Sequence, residues 1–327
     1  QGTGDYYGID KQWSYEKKYT ASIHILCLHY CTRADSVRLV DLRSEHLDRP
    51  IGLDNPVPRL SWRMEDGRQG AVQTSWRIVV DEDSLNVANG CGRMWDSGKN
   101  DSRNLLVAYA GKKLQPFTRY YWKVICSDMK YKETASPVSY FETGMMGMQH
   151  WQGAWIGDGK DIHYGPAPYF RKEFKTGKKV KSARAYIAAA GLYELYINGE
   201  KVGDHCLAPL YTRFDRRNLY VAYDVTSQLQ NGDNAIGVLL GNGWYNHQSK
   251  AVWDFDRAPW RNRPAFCLTC ALLTPMEAWR LFPPISVGGQ RRVQSLLIVS
   301  ILASTTMHVW SRKDGALRNS MIPSGAE

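Results

Sequence analysis

Leu192-Tyr193-Glu194-Leu195-Tyr196-Ile197-Asn198-Gly199 decides the fold class. Tyr193, Leu195 and Ile197 fall on alternate positions, the period of a strand with one buried face. Asn198-Gly199 then supplies two residues that tolerate positive φ, as a tight type I′ turn requires. The segment therefore reads as the arm and turn of a β-hairpin. Upstream, Ala185 to Ala190 reads as a paired strand, and Phe170-Arg171-Lys172-Glu173-Phe174 as an edge strand. Downstream, Thr226 is placed to cap a short helical turn that Gly232 ends. Ala235 to Leu240, an apolar run between Asn and Gly, reads as a buried strand. Together, 151–272 is predicted to form a jelly-roll-like β-sandwich.

The residues before it carry the same period. Trp76, Ile78 and Val80 alternate with outward positions, as do Tyr120, Trp122, Val124 and Cys126. Turn signals recur at Asp54-Asn55-Pro56, Glu65-Asp66-Gly67, Asn89-Gly90 and Asp96-Ser97-Gly98. Short strands at regular spacing imply a second sandwich over 37–147. Its details resemble a fibronectin type III-like module. Pro58 to Trp62 matches the first core strand, Leu114 to Val124 the tyrosine-corner turn and strand, and Ser139 to Gly144 the closing strand. The expected fold is all-β, two consecutive β-sandwich domains followed by a disordered or frameshifted tail over 273–327.

A family resemblance rests on a series of segments in consistent order. Pro50-Ile51-Gly52-Leu53-Asp54-Asn55-Pro56-Val57-Pro58-Arg59-Leu60-Ser61-Trp62 opens it. Ala190 to Gly199, Val202-Gly203-Asp204, Leu207-Ala208-Pro209 and Tyr223-Asp224-Val225-Thr226 continue it, and Gly232 through Trp244-Tyr245 closes it. The series resembles the N-terminal domains of bacterial α-L-rhamnosidases, glycoside hydrolase family 78, from about Val37 to Leu272. The resemblance implies an accessory region of an enzyme that removes terminal α-L-rhamnose with inversion. It also implies rhamnose-containing glycans or glycosides as partners, together with the enzyme's own catalytic (α/α)₆ barrel, which lies far downstream in the family. The alternative is a free-standing carbohydrate-binding or adhesion module built from the same sandwiches.

Composition excludes other classes. With 43% hydrophobic and 23% charged residues the chain lies outside the disordered regime. The formal net charge of +10 raises nucleic acid as a partner. Binding of that kind needs basic residues gathered on one face or arm. Here pairs such as Lys178-Lys179 and Arg216-Arg217 are scattered and flanked by apolar strand residues, so no nucleic-acid partner is expected. The 7 cysteines are odd in number and irregular in spacing, which gives no disulfide framework. Cys267-Leu268-Thr269-Cys270 is a lone CxxC without a second pair or nearby histidines, so it reads as small apolar strand packing. No metal or cofactor is expected. In the N-terminal extension, 1–36, Lys17-Lys18 followed by Ile23 to Cys31 has the outline of a signal peptide, interrupted by His24 and His29. It points to a periplasmic or secreted protein.

Beyond Leu272 the alternation stops. Ser300 to Ser311 can be written in codons that, read two bases on, give Tyr-Thr-Gly-Glu-His-Tyr-Asp-Ala-Arg-Leu-Glu, a peptide resembling the family's continuation. That coincidence reads as a frameshift with its break between about Ala271 and Thr274.

Inverting hydrolysis needs a general acid and a general base about 6.5–9.5 Å apart. The resemblance places both in the downstream barrel, so no catalytic residue is assigned here. Asp254 and Asp256 in Trp253-Asp254-Phe255-Asp256 form a tempting pair, but read as solvated loop carboxylates. Sugars are held by aromatic faces and by Asp, Asn and Arg at loop tips. The candidates for sugar contact are Asp204, Tyr211, Arg213, Asp215, Asn242, Trp244 and Tyr245. Each also suits a turn or packing role, since Asn, Asp and Gly satisfy turn geometry.

Overall fold

The structure is a computed structural model. It describes residues 37–151, 154–176, 180–250, 253–273, 296–300, 308–313 and 316–321. The possible signal segment lies outside the described residues. The strands in chain order are β1 (Arg38–Ser44), β2 (Arg59–Glu65), β3 (Gln73–Asp81), β4 (Trp95–Asp96), β5 (Leu106–Ala108), β6 (Arg119–Asp128), β7 (Glu133–Ala135) and β8 (Ser139–Glu142). There follow β9 (Tyr169–Thr176), β10 (Ser182–Ala190), β11 (Leu192–Ile197), β12 (Glu200–Lys201), β13 (Tyr220–Asp224), β14 (Gly232–Gly241), β15 (Ala265–Leu273), β16 (Leu296–Ser300), β17 (His308–Lys313) and β18 (Ala316–Met321). One short helix, α1 (Ser84–Ala88), is capped by the Asp83 carboxylate, which accepts from the Leu85 amide at 2.8 Å. The chain divides into two compact units. One comprises 57–112, 120–140 and the described part of 1–48; the other comprises 49–56, 113–119 and the described part of 141–327.

The first unit holds two antiparallel sheets. One runs β1-β2-β5; the other runs β4-β3-β6-β7, with β8 paired to β6. Their inner faces are the alternating residues of the sequence: Leu60 and Trp62 on β2, Trp76, Ile78 and Val80 on β3, and Tyr120, Trp122 and Val124 on β6 are all buried. Trp62 meets Trp76 edge-on at 6.2 Å, the preferred geometry for two ring quadrupoles. The Trp62 indole N–H donates to Gln73 Oε1 at 2.9 Å, so this buried polar tip is satisfied.

In the second unit one sheet runs β13-β10-β15-β16 and the other β12-β11-β14-β9-β17-β18. The core between them is drawn from Phe170, Ala185, Ile187, Leu195, Ile197, Ile236, Val238, Leu240, Phe266 and Leu268, among others. Phe170 on β9 and Phe266 on β15 meet edge-on at 5.1 Å. The chain passes from one sheet to the other at Gly191 alone, with φ at +114°; a Cβ there would lie 2.5 Å from the Gly241 carbonyl oxygen. Asn198 and Gly199 take φ of +52° and +87°, so the turn is the positive-φ hairpin that its sequence requires.

Three details differ from the sequence expectation. Phe170 to Phe174 is not an edge strand, because β17 pairs with β9 on the side opposite β14. Thr226 is the first residue of a 3₁₀ turn rather than its cap: its hydroxyl donates to Asp224 Oδ1 at 2.6 Å and accepts from the Ala183 amide at 2.9 Å. The third difference is in the tail, where 296–300, 308–313 and 316–321 are strands, with β16 extending β15 and β17–β18 extending β9. Leu296-Leu297-Ile298-Val299 is an apolar, partly β-branched run, and such a run can pair along an open sheet edge without period-two patterning. Of the two readings of the tail, disordered or frameshifted, these strands speak against disorder in these segments.

Candidate functional site

Two loops of the second unit carry most of the polar and aromatic candidates. One spans 202–219 between β12 and β13; the other spans 242–264 between β14 and β15. Phe255, buried, is the hub: Tyr211 lies 5.7 Å from it, Trp244 5.5 Å, Trp253 5.8 Å and Trp260 5.9 Å. Phe214 forms a second hub, with Tyr245 at 5.2 Å, Tyr211 at 5.7 Å and Trp260 at 6.4 Å. The rim of this cluster is open. Tyr211 is 45% exposed, Trp244 41% and Trp253 82%, and Leu207 and Leu210 on the first loop are exposed as well. Burial raises the Tyr245 phenol, so that ring stays neutral and packs as part of the base.

Asn246, fully buried, positions the second loop. Its side-chain amide donates to the Ile162 carbonyl at 2.8 Å and to Asn242 Oδ1 at 3.3 Å, while its Oδ1 accepts from Arg261 Nε at 3.1 Å. Arg261 also donates from Nη1 to the Asp256 carbonyl at 3.0 Å. The 158–166 loop that receives Asn246 is itself pinned, because Arg263 donates to the Asp158 carboxylate and to the carbonyls of Tyr164 and Pro166. The aromatic rim therefore stands on a hydrogen-bonded base rather than on a free loop.

The structure brings Tyr211, Trp244 and Tyr245 into this one cluster. Asn242 is recruited as a hydrogen-bond partner of Asn246. Arg213 and Asp215 are bound to each other, Nε to Oδ1 at 2.9 Å and Nη2 to Oδ2 at 3.0 Å. Asp204 belongs elsewhere, on the exposed turn beside His205, whose ring meets Tyr223 at 5.6 Å. Phe214, Phe255, Trp260 and Asn246 are absent from the sequence candidates. The aromatic density of 253–260 could have signalled Phe255 and Trp260, whereas no local pattern marks Phe214 or Asn246. Asp254 is exposed and takes φ of +51°. Asp256 departs from the solvated-carboxylate reading: it is half-buried, and its Oδ1 is shielded without a hydrogen-bond donor. Cys267 and Cys270 are buried on β15, and burial pushes their thiols up to about 11 and about 12. Among the described residues no group of three or more His, Cys, Asp and Glu side chains is placed to hold a metal ion.

Comparison with known proteins identifies this framework. Residues 178–277 match the family described as "Alpha-L-rhamnosidase N-terminal domain", and residues 39–147 match "Rha78A-like, N-terminal immunoglobulin domain". The chain carries the N-terminal domains of α-L-rhamnosidases. The immunoglobulin description and the fibronectin-like reading agree on the sandwich architecture, which the two modules share. An α-L-rhamnosidase of Formosa agariphila is 33% identical over 239 residues, 66% of this chain and 24% of that protein. The solved α-L-rhamnosidase from Dictyoglumus thermophilum superposes with a TM-score of 0.69 at 32% identity, over 83% of this chain and 29% of its own. The Streptomyces avermitilis enzyme, solved with L-rhamnose, gives a TM-score of 0.70 at 20% identity, covering 84% of this chain and 41% of its own, a likeness of fold. The chain spans about a quarter of the length of the curated relatives it matches. It corresponds to the accessory region of these rhamnosidases, and their catalytic domain is not covered.

Proposed function

We propose that this rhamnosidase region serves the hydrolysis of terminal α-L-rhamnose, an inverting reaction in the whole enzyme, without catalysing it. In this reading 37–147 and 151–272 act as consecutive non-catalytic modules, and the rim of Tyr211, Trp244 and Trp253 contacts rhamnose-containing glycans. The observation that carries the reading is that rim: open aromatic faces around a buried Phe255, on loops braced by Asn246. Aromatic faces take the C–H side of a pyranose, while loop polar groups take its hydroxyls. Asp254 is exposed, whereas an acid–base pair for glycosidic cleavage works inside an enclosed pocket.

Titration with methyl α-L-rhamnoside, followed by tryptophan fluorescence, tests this. A shallow site gives a millimolar dissociation constant, about 4 kcal/mol of binding. Trp244→Ala should abolish the response. No response in the unaltered chain, or an unchanged one in the variant, removes the rim from sugar binding. The reading of the tail as a shifted frame is supported by the out-of-frame match after Leu272. Codons across Ala271 to Thr274 and Ser300 to Ser311 incompatible with the shifted peptide would end it.

A further inference from the structure

A cavity of about 540 Å³ in the second unit shares Phe214 with the aromatic cluster and falls within the size range of sites for small ligands. Trp151, Trp155, Phe214 and Tyr220 wall it, and Cys267 of β15 reaches its floor. Trp151 stands edge-on to Tyr220 at 5.6 Å, which fixes that wall. Trp155 is 49% exposed and offers an open indole face.

The charged and polar groups at this cavity divide into committed and uncommitted. The Asp54 carboxylate already accepts from Tyr220 Oη at 2.8 Å and from the Met146 amide at 2.7 Å. Asp215 is held bidentately by Arg213. Arg216 and Arg217 also line the cavity, and among the described residues neither guanidinium has an acidic partner. Asn218 donates to the Phe214 carbonyl at 3.4 Å, while its Oδ1 is buried and receives no hydrogen bond. What the cavity offers is an aromatic face at Trp155 and two guanidinium charges at Arg216 and Arg217.

We infer that this cavity binds an anionic sugar residue, a pyranose carrying a carboxylate or a sulfate ester. Its ring faces Trp155, and its oxyanion is taken by Arg216 and Arg217, whose planar forks match such groups. The inference does not depend on the Tyr211–Trp244–Trp253 rim, and Trp244→Ala leaves the cavity intact.

Isothermal titration of the full chain with methyl β-D-glucuronide, a sulfated methyl glycoside and neutral methyl β-D-glucoside tests the assignment. At least one of the two charged glycosides should bind ten times or more tighter than the neutral one, and weaken in 0.5 M salt as exposed charges are screened. Arg216→Gln with Arg217→Gln should erase the preference while circular dichroism stays unchanged, and Trp155→Ala should weaken the charged glycoside as well. Whichever anion binds names the source. Absence of heat with both charged sugars at 10 mM, equal binding of the neutral one, or a preference that survives the double arginine substitution would overturn it.

Discussion

Arg263 and Asp158 form a buried pair at the foot of the aromatic rim: Nη2 lies 2.8 Å from Oδ2, and Nε reaches both carboxylate oxygens at 3.1 Å. The guanidinium also donates to the carbonyls of Tyr164 and Pro166 and lies 5.4 Å from the Tyr164 ring centre. One side chain thereby ties the 158–166 loop to the approach to β15, and Asn246 binds that loop through Ile162.

Removing one partner of such a pair leaves a buried charge without compensation. Arg263→Met should cost about 3–5 kcal/mol in urea unfolding, and Asp158→Leu a similar amount. The double substitution should recover much of the loss, since an apolar pair of similar volume needs no ionic partner. Additive losses would show that the two groups act separately.

Asn246→Ala addresses positioning more directly. Its amide holds Ile162 and Asn242 together, so its loss frees the 242–248 loop while every aromatic ring remains. The expected outcome is about 1–3 kcal/mol of lost stability from the orphaned partners, together with a weaker rhamnoside response. Stability lost with the sugar response unchanged would separate the brace from the rim.

The pattern of inward residues was readable in advance. Tyr193, Leu195 and Ile197 point into the core because period two leaves no other arrangement, and Asn198-Gly199 permits one turn. The site was less legible. Tyr211 and Trp244 stand out as aromatic residues near polar loops, but they meet only through Phe255, distant from Tyr211 in sequence and ordinary in type. Asn246 was invisible for a similar reason: its partners Ile162 and Arg261 lie on other loops, and no local pattern announces a buried amide. The strands β16 to β18 escaped because a strand that extends an existing sheet needs little alternation of its own.

Acid should loosen the first unit through Asp81. Burial raises this carboxyl, but hydrogen bonds from the Arg93 side chain and amide and from the Asp83 amide outweigh it and hold its pKa well below the usual carboxylate range. A group depressed on folding stabilises the folded state above its unfolded pKa, near 3.9, and the contribution fades as pH falls towards the folded value. Asp66, brought down to about 2 chiefly by its bond to Arg68, acts in the same direction. Asp81→Asn should be less stable than the parent chain at pH 7, by about 1–3 kcal/mol. Urea midpoints measured from pH 7 down to pH 2 should show the gap narrowing below about pH 4; a gap independent of pH would exclude the charge as its cause.

Thiol labelling probes the folded state at a finer grain. Cys91 and Cys206 are exposed, whereas Cys126, Cys267 and Cys270 are buried, and burial raises these three thiols to about 12, 11 and 12. Iodoacetamide at pH 8 followed by peptide mass mapping should modify the first two in minutes and spare the other three until denaturant is added. Rapid modification of Cys270 in the folded chain would contradict the placement of β15 in the core.

As the accessory region of a rhamnosidase, this chain is expected to leave glycosides uncleaved. Incubation of the purified chain with p-nitrophenyl α-L-rhamnopyranoside, with release of p-nitrophenol followed over a day, tests it most directly. The account predicts no turnover above the no-protein blank. Turnover that persists through repurification and disappears in Asp256→Asn would place a catalytic site in the sandwich and contradict the account.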